Sequence, residues 1–264
     1  VLNALGSGQT AVDTFYYSVV DSHGAIGTAA VHITVTGVND PLTAAPDFAA
    51  TDEDTAIALP VATLLANDTD PDNGTDFQID SLTATSALGA SVQIIGTNVI
   101  YDPTVSPTLN ALARKEIVVD TFTYTAADGF GSTSNALVSI TVTGVNDTPI
   151  GEDDLTTTGE KVLLSVAAPG VLFNDIDPDV NGSVPDDTMR VLSFTNQSTA
   201  AGAVASMNVD GSFSYDPTGV FDWLKEGETT NDTFFYTVRD HSLSIANDDI
   251  FKVKVDSTAN VLPV

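Results

Sequence analysis

The sequence predicts an all-β protein made of tandem, seven-stranded, antiparallel Greek-key β-sandwiches. Three observations support this prediction: an internal repeat, short runs of Val, Ile and Thr in which apolar and polar residues alternate, and clusters of Gly, Pro, Asn and Asp between those runs. Alternation with a period of two is typical of strands that bury one face, and the clusters are typical of turns. Many short strands separated by such turns are the pattern of a β-sandwich.

The internal repeat is visible in four phrases that recur in the same order. The phrase Asp-Thr-Phe begins at Asp13, Asp120 and Asp232, so its copies lie 107 and 112 residues apart. The other three are Gly-Val-Asn-Asp at 37–40 and 144–147, Asn-Asp-x-Asp-Pro-Asp at 67–72 and 174–179, and Tyr-Asp-Pro at 101–103 and 215–217. A period near one hundred residues corresponds to a whole domain.

The Gly-Val-Asn-Asp phrases set the predicted boundaries. We expect the C-terminal part of a first β-sandwich at 1–38, a complete middle repeat at 39–145, a complete last repeat at 146–256, and a tail or linker at 257–264. In the middle repeat the predicted strands lie near 46–51, 55–60, 78–85, 91–95, 98–102, 120–127 and 136–145. In the last repeat, Trp223 is predicted to pack beneath the loop that precedes Asp232.

Composition limits the function. With 36 acidic and 8 basic residues the chain has a formal charge of −28, which disfavours nucleic acid and anionic membranes as partners. No apolar stretch is long enough to insert into a membrane. The absence of cysteine removes disulfides and thiolate chemistry, so domains of this size need another source of stability. Bound cations would supply it and would offset the charge.

The order of the strands sorts the acidic residues into two groups. Loops of an antiparallel sandwich alternate between its ends, so the chain entry and the loops after the second and sixth strands share what we call the leading end. The loops after the first and fifth strands and the chain exit share the trailing end. In the middle repeat the leading end collects Asn39, Asp40, Asp68, Asp70, Asp72 and Asp128, and the trailing end collects Glu53, Asp54, Glu116, Asp120, Asn146 and Asp147. Asp13 is the first-repeat counterpart of Asp120.

These groups predict calcium sites at the junctions between repeats. The last repeat brings Asp175, Asp177, Asp179 and Asp240 to its own leading end. Ionised carboxylates within about 4–6 Å of one another repel unless a cation lies among them, and calcium accepts six to eight oxygen ligands with flexible geometry. The alternative is that these acids are simply solvated, or adapted to high salt. The spacing from Asp68 to Asp72 matches the start of an EF-hand loop, but its twelfth position is Ile79 rather than Glu.

The same phrases resemble the VCBS and cadherin-like repeats of large bacterial RTX adhesins secreted by the type I pathway. The resembling stretches are GVND-P, EDT, LLANDTD, YDP and SITVTGVND, and they cover nearly the whole chain. The resemblance implies Ig- or cadherin-like domains with calcium bound between neighbouring repeats of one chain. It also implies that the chain is an extender region of an extracellular, cell-surface protein that functions in adhesion and biofilm formation.

Two further possibilities can be weighed from the residues. The chain has no HExxH, GxSxG or P-loop motif, and its acids lie at loop ends rather than across one cleft, so catalysis is not expected. Residues 1–38 supply only two strands, and an isolated hairpin is marginal in water. Either these residues are part of a longer chain, or identical chains supply the missing strands, as in a strand-complemented filament or sheath.

Overall fold

The computed structural model describes residues 2–72, 74, 76–179 and 188–240, together with the backbone of 245–256. The predicted tail at 257–264 lies outside the described residues. The all-β fold class is confirmed, since strands make up 48% and helices 7% of the structure. No described helix is long and apolar enough to cross a membrane.

Residues of the first repeat form one hairpin. Strands β1 (Thr10–Val20) and β2 (Ile26–Thr36) pair antiparallel as a two-stranded sheet, preceded by a short 3₁₀ turn over Leu2–Ala4. No other described strand hydrogen bonds to this pair. The inward-facing Phe15 therefore remains 52% exposed, whereas its counterpart in the middle repeat, Phe122, is 3% exposed.

The middle repeat contains all seven predicted strands. They are β3 (Asp47–Asp52), β4 (Ile57–Pro60), β5 (Gln78–Leu82), β6 (Ser91–Ile95), β7 (Asn98–Asp102), β8 (Ile117–Ala127) and β9 (Thr133–Thr143), with a one-turn helix α1 (Val61–Leu64) after β4. One sheet has the order β3-β9-β8-β5 and the other β4-β7-β6. Their pairings are antiparallel except for β3 with β9, which run parallel.

The last repeat has the same arrangement with a divided third strand. Its strands are β10 (Asp154–Gly159), β11 (Leu164–Val166), β12 (Arg190–Val191), β13 (Phe194–Ser198), β14 (Val204–Met207), β15 (Phe213–Asp216), β16 (Thr229–Arg239) and β17 (Ile245–Asp256). The sheets have the orders β10-β17-β16-β12 and β11-β15-β14-β13. Strands β12 and β13 thus join opposite sheets within a few residues of each other.

Alternating side chains build each core. In β8, Phe122 and Tyr124 point inward, and the ring of Phe122 stacks on Tyr101 with 6.3 Å between centroids. In β16, Phe234 makes edge contacts with Phe194 and Phe213 at 6.0 and 6.2 Å. Each such aromatic contributes about 1.5–3 kcal/mol by burial, so the pattern of period two sets the register of both sheets.

The prediction for Trp223 was wrong. Its side chain is 65% exposed, while Phe221 and Leu224 on either side of it are 1% and 8% exposed and belong to the core. The smaller apolar side chains fill the space beneath the loop, and the indole remains at the surface.

In the first and middle repeats, a glycine directly after the last strand contacts the loop that precedes the sixth strand. Gly37 donates its N–H to the carbonyl of Gln9 at 2.8 Å, and Gly144 donates to the carbonyl of Glu116 at 2.8 Å. A Cβ atom on either glycine would lie 2.1 Å from a carbonyl oxygen, that of Leu5 or of Ala113. The glycine of the Gly-Val-Asn-Asp phrase is therefore required by close backbone contact.

Replacing Gly144 by alanine is expected to lower the free energy of unfolding by about 1–3 kcal/mol, because the backbone around the new Cβ must move. Gly27→Ala is the matched control, since its Cβ would meet Val19 at an ordinary 3.5 Å and should change stability by less than about 0.5 kcal/mol. Urea unfolding followed by circular dichroism measures both. Equal effects of the two substitutions would contradict the close contact.

Candidate metal-binding ends of the repeats

The leading end of the middle repeat ties the entering chain to two loops. The side-chain amide of Asn39 donates to Asp128 Oδ2 at 2.7 Å, and the backbone N–H of Asp40 donates to Asp72 Oδ2 at 3.0 Å. Farther along, the N–H and carbonyl groups of Thr43 and Thr69 pair with each other as an isolated bridge. The structure thus brings the predicted leading-end residues of the entry and of both loops into contact.

The loop from Asp68 to Asp72 presents its carboxylates differently. Asp68 accepts the N–H of Ala45 on Oδ1 at 2.8 Å, and the hydroxyl of Tyr124 lies 3.3 Å from its Oδ2. Asp70 accepts the N–H of Asp72 on Oδ1 at 2.8 Å. Its Oδ2 is buried and accepts no hydrogen bond from any described residue.

Asp128 shapes the turn after β8. Its Oδ1 accepts three backbone N–H groups, from Phe130 at 2.7 Å, Gly131 at 3.0 Å and Ser132 at 3.1 Å. Burial alone would raise the pKa of Asp128, but these donors and the amide of Asn39 outweigh it and lower the pKa below its ordinary value. The carboxylate is therefore ionised at neutral pH.

The leading end of the last repeat reproduces these contacts. Asn146 donates its side-chain amide to Asp240 Oδ2 at 2.5 Å, and the N–H of Asp147 donates to Asp179 Oδ2 at 3.0 Å. Asp177 Oδ1 accepts the N–H of Asp179 at 3.2 Å. Asp175 Oδ1 accepts the N–H of Glu152 at 2.8 Å. The same local geometry thus forms twice, in repeats with different core sequences.

The predicted trailing-end residues occupy three kinds of position. Glu53 directly follows β3 and is fully buried, while the neighbouring Asp54 is exposed. Glu116 Oε2 accepts the N–H of Ala113 at 3.2 Å and so caps its own turn. The amide oxygen of Gln9 makes the equivalent contact with the N–H of Gly6 in the first repeat, so this cap does not require a charge.

Asp120 lies inside the sandwich, in the inward-facing row of β8. Its Oδ2 accepts the hydroxyl of Tyr101 at 2.8 Å, and its Oδ1 accepts the N–H of Leu88 at 2.8 Å. Asp232 is held in the same way by Tyr215 at 2.8 Å. The structure thus gives Asp120 a role in linking strands within the core, unlike the trailing-end position expected from the sequence. Asp13, its first-repeat counterpart, is exposed and accepts the N–H of Thr14.

The sequence interpretation missed a buried hydroxyl behind the leading end. The hydroxyl of Tyr124 lies 2.9 Å from the carbonyl of Leu64 and 3.1 Å from Asp47 Oδ2, in addition to its contact with Asp68. Burial raises the pKa of Asp47 above its ordinary value; the Tyr124 hydroxyl opposes this rise, and the nearby charge of Asp68 adds to it. The available signal was the tyrosine that lies two residues after each Asp-Thr-Phe phrase, at Tyr17, Tyr124 and Tyr236.

This donor set fits a hard cation. Carboxylate and amide oxygens are the ligands that calcium prefers, and the leading end of each repeat offers them from three separate segments. Asp70 also contributes a buried oxygen without a hydrogen bond from the described residues, which is costly for a carboxylate unless a cation or water meets it.

Comparison with known protein families identifies both complete repeats. Residues 39–141 match the model of a bacterial Ig domain, and residues 146–257 match that of a bacterial cadherin-like domain. These matches support a cadherin-like tandem repeat region. Cadherin-like and Ig-type domains are typically structural or adhesion domains rather than enzymes, and cadherin-like domains generally bind calcium. Comparison with curated proteins gave no match.

Several solved cadherin and protocadherin structures align with this chain at low sequence identity. Mouse protocadherin-24 EC1-3 aligns over 93% of this chain and 79% of its own, with 15% identity and a TM-score of 0.51. Protocadherin gamma C5 EC1-3 aligns over 93% of this chain and 77% of its own, with 13% identity and a TM-score of 0.48. Mouse cadherin-23 EC22-24 aligns over 93% of this chain and 73% of its own, with 15% identity and a TM-score of 0.46. The likeness to protocadherin-24 supports a shared fold.

Asp128→Asn is expected to lower the free energy of unfolding by about 1–2 kcal/mol at neutral pH, because three N–H donors lose a charged acceptor. The folded pKa lies below the unfolded value of about 3.9. The stabilisation is therefore complete above that value and is lost as the pH falls through the folded pKa. The difference between wild type and variant should shrink below about pH 4.

Urea titrations in EDTA at neutral and acidic pH measure this difference. Asp80→Asn, at an exposed position of β5, serves as the control for loss of one negative charge. A difference between wild type and Asp128→Asn that stays constant with pH, or that matches the control, would refute the assigned hydrogen bonding.

Proposed function

We propose that this chain is a calcium-rigidified extender region of a secreted or cell-surface bacterial adhesin that acts in cell adhesion and biofilm formation. The observation that supports it best is the leading-end arrangement, which occurs in both complete repeats with the same contacts. The family matches add a bacterial cadherin-like domain, and domains of that type generally bind calcium.

The charge of the molecule favours a bound cation. The formal charge is −28, and the eight basic residues are too few to neutralise 36 acidic ones. Lys161 forms ion pairs with Glu160 at 3.1 Å and with Asp222 at 3.7 Å, neither of which is a leading-end residue. The leading-end acids of both repeats accept hydrogen bonds from backbone N–H groups and asparagine side chains and, in our proposal, bind calcium.

The residues that would hold calcium at the leading end of the middle repeat lie in the entry segment and in the two loops that it contacts. We assign the carboxylates of Asp70, Asp72 and Asp128, with oxygens of Asn39 and Asp40 from the entering chain. The counterparts in the last repeat are Asn146, Asp147, Asp177, Asp179 and Asp240. That Glu53, Asp54 and Glu116 add ligands at the following junction stays a prediction of the sequence.

Calcium at this position would stiffen the linker. Asn39 and Asp40 belong to the segment that joins β2 to β3, and they already hydrogen bond to Asp128 and Asp72. A cation shared by these residues would hold the linker to the rigid ends of two loops. The mechanical function follows, because an extender must resist bending between its repeats.

Removal of calcium is expected to lower the melting temperature and to let the repeats bend. A ligand that binds only the folded state stabilises it by about 2.7 kcal/mol at one hundred times its dissociation constant, which corresponds to a shift of roughly 10 °C for a domain of this size. Calorimetry and small-angle scattering of the full chain, with calcium and with EDTA, measure the two effects.

In the presence of calcium, the double variant Asp70→Asn/Asp177→Asn should melt and scatter as wild-type protein does in EDTA. The control variant Asp80→Asn should behave as wild type in calcium. Magnesium at the same concentration controls for ionic strength. Identical melting and scattering curves in calcium and EDTA would rule out the proposed function.

A further inference from the structure

We propose that Tyr124 and its counterpart Tyr236 are positioning residues for calcium at the leading ends. Each hydroxyl lies within 3.5 Å of the first aspartate of its Asp-x-Asp-x-Asp loop, Asp68 or Asp175, and of the aspartate that begins the first strand of the same repeat. The following two aspartates of the loop are thereby fixed where they can face the cation. This inference rests on the proposed function.

The hydroxyl of Tyr124 joins three elements of the middle repeat. Its oxygen lies 2.9 Å from the carbonyl of Leu64 at the end of α1, 3.1 Å from Asp47 Oδ2 at the start of β3, and 3.3 Å from Asp68 Oδ2 at the start of the loop. The side chain is 1% exposed and lies in the central strand β8. Because the tyrosine side chain is fixed in the core, its hydroxyl restricts the movement of Asp68 in the loop.

The last repeat has the same arrangement. The hydroxyl oxygen of Tyr236 lies 2.8 Å from Asp154 Oδ2 at the start of β10, and 3.5 Å from both the carbonyl of Val171 and Asp175 Oδ1. Tyr236 is 2% exposed. The carbonyl of Glu152 also lies 3.1 Å from this hydroxyl, and the contact with the loop aspartate is longer than in the middle repeat, but the three elements are the same.

Asp68 connects the hydroxyl of Tyr124 to the entry segment and to the loop that carries Asp70 and Asp72. Its second oxygen accepts the N–H of Ala45 in the entry segment, so one carboxylate ties the entering chain, the loop and the core together. Asp70 and Asp72 follow it directly in the chain. Holding Asp68 in place reduces the entropy that is lost when these carboxylates are gathered around an ion.

The structure supplies a natural control in each repeat. Tyr101 and Tyr215 are also buried tyrosines whose hydroxyls bind an aspartate, Asp120 or Asp232, at 2.8 Å. Those aspartates accept further hydrogen bonds from residues such as Leu88 and Ala201, none of which belongs to a leading end. Loss of either hydroxyl should therefore affect stability without affecting calcium.

The test measures calcium binding to the full chain by titration calorimetry, below the unfolding transition, for four single variants. Tyr124→Phe and Tyr236→Phe remove a positioning hydroxyl, and Tyr101→Phe and Tyr215→Phe remove a control hydroxyl. All four should melt earlier in EDTA, because each leaves a buried carboxylate with one donor fewer. The calcium dissociation constant of the affected site should rise about tenfold in the first pair, as for other outer-sphere changes, and stay at the wild-type value in the second pair.

The outcomes separate this inference from the proposed function. If the first pair binds calcium as tightly as the second pair, the tyrosines stabilise the core only and the inference is overturned. If wild-type protein takes up no calcium, the proposed function fails and the inference fails with it. Should Tyr124→Phe not fold, as judged by circular dichroism, the Tyr236→Phe and Tyr215→Phe pair decides the question.

Discussion

Mutual repulsion of carboxylates at the ends of the repeats is the constraint on which the rest of this structure depends. The chain carries 36 acidic residues, and its loops gather several of them where the polypeptide enters each sandwich. Backbone N–H groups stabilise part of this negative charge, as do the three that donate hydrogen bonds to Asp128. A bound cation would neutralise the remaining negative charge, and the entering linker lies where that cation would bind. Charge and linker geometry, together with the mechanical function that we propose, are thus aspects of one arrangement.

The two complete repeats give independent views of that arrangement. The pairs Asn39–Asp128 and Asn146–Asp240 make the same side-chain contact, and the isolated bridges Thr43–Thr69 and Ile150–Ile176 lie at matching places. The cores behind them differ, since the third strand is continuous in one repeat and divided between sheets in the other. Contacts that persist while the surrounding core changes point to a requirement at the leading end rather than to a by-product of packing.

The fold was largely predictable because its signals are local. Alternation along β8 identifies the buried face, while the repeat boundaries at the recurring Gly-Val-Asn-Asp phrase stay a prediction. The role of a carboxylate within a strand was not predictable in this way. Asp120 meets a hydroxyl 19 residues away on β7, and the partners of Tyr124 lie 56 to 77 residues away, so no local pattern distinguishes a buried hydrogen-bond acceptor from a metal ligand. The prediction for Trp223 was wrong for a related reason. The neighbouring Phe221 and Leu224 occupy the core positions that the indole was predicted to fill.

The number of calcium ions bound by the full chain tests the central claim most directly. Competition with a chromophoric chelator gives this number and the dissociation constants together. The account predicts saturable binding in wild-type protein that is lost when Asp70 and Asp177 are both replaced by asparagine, and that is unchanged in Asp80→Asn. Equal uptake by all three proteins, or no uptake by any of them, would contradict it.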